Sequence, residues 1–191
     1  MRIVIVGAGA LGRLFGAYFV QGGQEVVFVE PNQDVVTAIN EKGIGVASHE
    51  VLVDESFQYY PARAVLNAAE IQQCDLLLLT VKSHHTRVAT QQISHLVGPD
   101  SPLITLQNGL GHLEILEGVC DPAHIILGIT YMSGTALDHG NVMNDGTGTT
   151  YLGSQSKNKT IHLSKICTLL NESGVPAEEV SDILIRKWNR V

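Results

Sequence analysis

Apolar residues recur along this chain with two periods. Residues 2–6 (RIVIV) form a β-branched run that stops at Gly7, and residues 11–20 (LGRLFGAYFV) carry apolar side chains at helical spacing. That pattern predicts a strand, a glycine turn and a helix. After the QGGQ break, residues 25–29 (EVVFV) read as a second strand, whose continuous apolar character suits a parallel sheet covered on both faces. Residues 34–42 predict a helix ending at Gly43, where a left-handed cap is expected. From Gly45 to Pro61 the alternation at Val51 and Val53 predicts one or two short strands without fixing their ends.

Residues 74–81 (CDLLLLTV) give the clearest strand, followed by a helix from about His85 to Val97 that the Gly98-Pro99 pair ends. Residues 102–106 (PLITL) predict another strand, 113–119 a short helix, and 124–130 (HIILGIT) a further strand. Residues 142–152 read as two short strands across Gly146 and Gly148, residues 161–172 are amphipathic, and 175–180 return to strand or loop before a closing helix in SDILIRKWNRV. Strands alternating with helices imply right-handed β-α-β units. The fold class is therefore α/β, a Rossmann-type, doubly wound and mostly parallel sheet. The sequence holds no internal repeat or low-complexity segment.

Composition narrows the partners. The 191 residues, 45% apolar and 16% charged, suit one globular domain with a sizeable core and the beginning of another. A formal charge of -7 argues against a nucleic-acid or anionic-membrane surface and leaves a small molecule as the expected ligand. Three cysteines (Cys74, Cys120, Cys167) in no C-x-x-C pair are expected to be reduced thiols, with no disulfide framework or zinc site. The N-terminal apolar run is short and broken by glycines, unlike a signal peptide, and no segment approaches the roughly 20 apolar residues that span a bilayer. The expected location is cytoplasmic.

Gly7-Ala8-Gly9-Ala10-Leu11-Gly12 is a G-x-G-x-x-G turn lying between a strand and a helix, in a unit of the expected length with an acid at the end of the second strand. Gly7 permits the tight turn, Gly9 lets the backbone approach a pyrophosphate, and Gly12 lets the helix pack on the strand. The helix start offers free amides and a positive dipole end. Glu30 closes the second strand. A carboxylate there accepts bonds from the adenosine ribose hydroxyls and repels the extra phosphate of NADP, which favours NAD. The bland alternative for Glu30 is a solvated strand-end acid beside Pro31-Asn32 turn chemistry.

A dinucleotide fold leaves many chemistries open. Three further stretches narrow them: LLLLTVKSHHT, with Lys82 at a strand end; LQNGLGHLE, with Asn108-Gly109 at the next; and NDGTGTTYLG. In this order, behind GAGALG, they resemble the ketopantoate reductase (2-dehydropantoate 2-reductase) family, and the resemblance covers essentially the whole chain as that family's N-terminal half. It implies that residues 7–12 hold the pyrophosphate, Lys82 lies near the ribose and nicotinamide end, Asn108 sits between cofactor and keto acid with Gly109 beside it, and Gly134 lines the nicotinamide pocket. It also implies NADP as the usual cofactor, although Glu30-Pro31 stands where NADP-preferring members usually offer a basic residue. Asn144 replaces a histidine common in the family.

The family reaction passes hydride from a nicotinamide to the carbonyl of a 2-keto acid, converting 2-dehydropantoate to pantoate in the pantothenate pathway, while a lysine on the first helix after the cofactor domain supplies the proton. Its pattern there, Asp-Ile, four residues, Trp, one residue, Lys, matches Asp182-Ile183 and Trp188, and puts Arg190 at the lysine position. Arginine can stabilise an alkoxide but is a poor proton donor. Lys187, three residues earlier on a neighbouring helical face, is the other candidate. The expected organisation is a dinucleotide-binding domain over residues 1–175, then a linker and first helix over 176–191 of a helical substrate domain that is otherwise absent, so that this chain alone would be weak or inactive.

Two other readings stay open: a non-catalytic dinucleotide-binding module, and an NAD-dependent reductase of another 2-keto acid. The exposed domain face is expected to favour homo-oligomers. His84-His85 read as polar residues at a helix start and His112 as a turn residue, since no metal-ligand spacing appears among the eight histidines.

Overall fold

A computed structural model of the protein describes residues 1–48, 57–109, 111–154 and 162–190. The first half of the chain follows its apolar rhythm: β1 (Arg2–Val6), α1 (Ala10–Gln21), β2 (Glu25–Val29), α2 (Gln33–Lys42), β3 (Ile44–Ser48), β4 (Gln58–Tyr60), β5 (Arg63–Val65), β6 (Leu76–Leu79) and α3 (Thr86–Ile93). The second half continues with β7 (Leu103–Thr105), α4 (Leu113–Glu117), β8 (Ile125–Thr130), β9 (Ser133–Ala136), β10 (Asn141–Gly146), β11 (Thr150–Gly153), α5 (Leu163–Glu172), β12 (Ala177–Glu179) and α6 (Ile183–Trp188).

The main sheet has the order β12-β11-β8-β7-β6-β1-β2-β5, parallel throughout except where β11 runs antiparallel to β8. Its apolar strands are buried on both faces. Along β1, Ile3 and Ile5 enter the core shared with α1, α2 and α5, while Val4 and Val6 enter the core shared with α3, α4 and Ile183. In β6, Leu76 and Leu78 point one way and Leu77 and Leu79 the other. This two-sided burial explains why both strands lack polar alternation. The chain winds outward from β1 to β2 and then, beginning with β6, in the opposite direction. The carboxyl ends of β1 and β6 therefore form the switch point where such sheets bind ligands.

A second sheet, β4-β3-β10-β9, packs against α1. Here the structure differs from the sequence expectation. The two strands expected within 142–152 belong to different sheets: β10 pairs with β3 and β9, and β11 with β8 and β12. Val51 and Val53 lie outside the described residues. Gly43 has the expected positive φ, 81°, but its ψ of -163° is extended rather than left-handed helical, because the chain turns directly into β3. β12 falls on the C-terminal side of the expected boundary at 175, yet it pairs with β11 as an edge strand of the main sheet, and α6 packs on β8 and β11. Among the described residues no helix is long and apolar enough to cross a membrane.

Candidate dinucleotide site

The glycine turn links the ends of three strands. Gly7 has φ 99°, and its amide donates to the Val29 carbonyl at 2.9 Å, tying the end of β1 to that of β2. Thr80, just past β6, donates its hydroxyl to the Gly7 carbonyl at 2.8 Å. A Cβ on Gly12 would stand 2.2 Å from that same carbonyl oxygen, so only glycine lets α1 come this close. At Gly9 the reverse holds. A Cβ there would meet nothing within 4 Å, leaving room for a ligand to approach the backbone. Gly9 caps α1 without a side-chain bond, which leaves the first helical amides free to bind an anion. Gly7, Ala8, Gly9, Ala10, Leu11 and Gly12 thus form a tight turn whose backbone is closed at Gly7 and Gly12 and open at Gly9.

Glu30 is held rather than loose. Its carboxylate accepts from the Ala8 amide at 2.9 Å and from the Asn32 amide at 3.0 Å. Asn32 in turn caps α2 through bonds from the Asp34 and Val35 amides. A cavity of about 360 Å³ opens beside this arrangement, lined by Gly7, Gly9, Glu30, Pro31, Lys82, His84 and His85 among others. It adjoins a second cavity of about 460 Å³ lined by Leu11, Thr80, Lys82, Gln107 and Asn108. Lys82 lines both. The predicted Gly7, Gly9, Leu11, Glu30, Lys82 and Asn108 therefore converge on one groove at the switch point. Gly109, with φ 76°, completes the Asn-Gly turn.

The other predicted residues sit elsewhere. Gly134 lies in β9 of the second sheet, where a Cβ would meet the Leu14 side chain at 2.4 Å and the Met143 carbonyl oxygen at 2.8 Å. It packs that sheet on α1 and lines neither groove cavity. Asn144 donates to the Tyr18 hydroxyl in a separate cavity between α1 and the second sheet. Arg190 donates to the Thr130 carbonyl, with its guanidinium 4.3 Å from the Tyr131 ring centroid. Lys187 is 1% exposed, and its Nζ donates to the carbonyls of Gln107 at 2.7 Å and Gly128 at 3.0 Å. Burial, and then the charge of Arg190, hold its pKa down at about 8. In this placement the Lys187 amine is buried and bound to two main-chain oxygens, while Arg190 stands three residues further along the same helix end.

Two residues that sequence reasoning passed over, Gln107 and Arg13, organise the site, and a third, His112, is placed differently from its expectation. Gln107 donates from Nε2 to the Val81 carbonyl and the Thr86 hydroxyl, both at 2.8 Å, bridging the ends of β6 and β7. Its position beside Asn108 was the available signal. Arg13, beside Gly12, is 4% exposed and binds the Ala8 carbonyl through Nε at 2.7 Å. His112, expected as a turn residue, is buried instead. Its Nε2 has no hydrogen-bond partner, and burial followed by the charge of Lys187 lowers its pKa to about 4. Among the described residues no cluster of His, Cys, Asp or Glu could hold a metal ion.

Comparison with known proteins agrees with this geometry. The model of the family described as ketopantoate reductase PanE/ApbA matches residues 3–157. The 2-dehydropantoate 2-reductase of Archaeoglobus fulgidus is 29% identical over 188 residues, 98% of this chain and 58% of that protein. Its counterpart in Streptococcus pyogenes is 25% identical over 190 residues, 100% of this chain and 60% of that protein. Among solved structures, a D-mandelate dehydrogenase with NADH and anilino(oxo)acetate superposes with a TM-score of 0.87 at 28% identity, covering 96% of this chain and 58% of that one. The Geobacter metallireducens 2-dehydropantoate 2-reductase also gives 0.87 at 28%, covering 98% and 60%. The chain thus spans about three fifths of the length of the curated relatives it matches. With the family model covering most of its sequence and the glycine turn, Lys82 and Asn108 in one groove, the chain belongs to the ketopantoate reductase family.

Proposed function

We propose that this chain is the cofactor-binding part of an oxidoreductase that reduces a 2-keto acid with a nicotinamide dinucleotide, 2-dehydropantoate being the substrate and pantoate the product. The observation that carries the reading is the groove: Gly7, Gly9 and Leu11 on one wall, Glu30 beyond them, and Lys82 and Asn108 at the neighbouring strand ends. When bound, the cofactor supplies the hydride from its nicotinamide.

The protein's own residues bind and orient. The open backbone at Gly9 and the first amides of α1 receive the diphosphate. Glu30 meets the adenosine ribose, and its negative charge beside the Ala8 amide favours NADH over NADPH. Lys82 lies along the groove toward the nicotinamide ribose, and Asn108 meets the keto acid. Arg190 stabilises charge developing on the ketone oxygen, and the proton comes from water or another group. The setting is cytoplasmic, and α6 offers a face for self-association.

A second reading, reduction of another 2-keto acid with NADH, is favoured by the likeness to the NADH-bound D-mandelate dehydrogenase. Titrating the chain with NADH and NADPH while following nicotinamide fluorescence tests the cofactor reading, which fails if neither binds. Comparing ketopantoate with an aromatic 2-keto acid, by loss of reduced-nicotinamide absorbance, separates the two substrate readings.

A further inference from the structure

Arg13 follows the glycine turn on α1, and its side chain is directed inward. Besides the Ala8 carbonyl, its guanidinium donates from one terminal nitrogen to the carbonyls of Asp138 at 2.6 Å and Asn141 at 2.8 Å. The first oxygen belongs to the connection between β9 and β10 and the second to the first residue of β10, some 125 residues away in sequence. The connection is itself braced: the Asp138 carboxylate accepts from the amides of Gly140 and Asn141 and from the Asn141 side chain, at 2.7–2.8 Å. Ala8 is consequently gripped on both sides, its amide by Glu30 and its carbonyl by Arg13. With that carbonyl turned inward, the amides at the start of α1 remain on the ligand side. A planar fork with five donors can bridge three carbonyls in this way, whereas a lysine cannot span them together.

We propose that Arg13 is the positioning residue of the diphosphate turn, holding the Ala8 carbonyl against the 138–141 connection so that dinucleotide binding and the order of that connection are coupled. This rests on the dinucleotide reading above.

The test compares the wild-type chain with Arg13→Lys and Arg13→Met. NADH and adenosine, which lacks the diphosphate, are titrated against each, and melting of the free proteins reports folding. In Arg13→Met NADH should bind about tenfold more weakly, the effect of one lost bond to a charged group, while adenosine binding is unchanged. Arg13→Lys should recover part of the loss. In the wild type, NADH should slow hydrogen exchange at the amides of residues 140 and 141 together with those of residues 10–12, because coupling is reciprocal. That measurement decides the matter should the variants fail to fold. Folded variants that bind NADH as the wild type does, equal losses for NADH and adenosine, or protection confined to residues 10–12 would each overturn the role of Arg13 and leave the dinucleotide reading standing. A wild-type chain that binds no dinucleotide removes both.

Discussion

Lys187 donates from Nζ to the main-chain oxygen of Gln107 at 2.7 Å, joining the last described helix to the residue that precedes Asn108. The bond places a cation in the interior beside His112, and the stability of the chain should register both groups.

For Lys187 the folded pKa of about 8 lies below the ordinary 10.5. Between those values the unfolded chain binds more protons, so the contribution of this residue to stability increases as pH rises from 8 to 10.5, by at most about 3 kcal/mol. Cys74 and Cys167, both raised to about 11 by burial, act in the opposite direction near the top of that range. The comparison should therefore be made against Lys187→Met. Denaturant melts across the interval should show the wild type gaining on the variant, and parallel curves would contradict the assignment.

His112 governs the acid side. Its folded pKa of about 4 lies below the ordinary 6.5, so the stability associated with its neutral form is present above pH 6.5 and lost as pH falls through 4. His112→Leu should resist acid better than the wild type by up to about 3 kcal/mol at pH 4. Urea midpoints measured from neutral pH downward provide the check, and an unchanged acid slope would count against a buried neutral imidazole.

The glycine turn separates fold from function. Gly12→Ala drives a methyl into the Gly7 carbonyl and should cost about 1–3 kcal/mol of stability. Gly9→Ala meets no protein atom and should melt like the wild type, yet weaken NADH about tenfold or more by obstructing the diphosphate. Calorimetry and a cofactor titration on the two variants would refute this pairing if their order were reversed.

Cofactor choice should follow Glu30. On the proposed reading, Glu30→Gln removes a negative charge that would repel a 2′-phosphate, and the ratio of NADH to NADPH affinity should fall about tenfold. A ratio that does not move would place selectivity elsewhere.

Ile185 and Trp188, 64% and 70% exposed, lie one helical turn apart on the outer face of α6. The chain should self-associate at tens of micromolar through this face, and Trp188→Glu should reduce that association. Sedimentation velocity of both proteins would show it; a wild type that is monomeric throughout refutes the prediction.

Much of the central architecture was legible in the sequence because it is local. RIVIV, EVVFV and LLLL are buried on both faces and have no polar alternation to confuse the reading, and the glycine turn lies between the first strand and its helix. The second sheet was less legible. β10 pairs with β3 from nearly a hundred residues away, and β9, reading SGTA, has no apolar pattern of its own. The inward cations were hidden for a related reason. In α6 the buried positions are Ile183 and Lys187, four residues apart, while Ile185 and Trp188 face outward, the reverse of what hydrophobicity predicts. Arg13 and Lys187 are accommodated by main-chain carbonyls, which no side-chain pattern reveals.

The order of the main sheet also bears on which surfaces of this chain can join others. Its two free borders are β5 and β12, each only three residues long, one beginning at the exposed Arg63 and the other carrying the exposed Glu178 and Glu179. Short, charged borders offer a poor template for strand addition from a neighbouring molecule. Assembly of this chain should therefore proceed by helix packing, and where salt shields these charges the shortness of the two borders is what still limits strand addition.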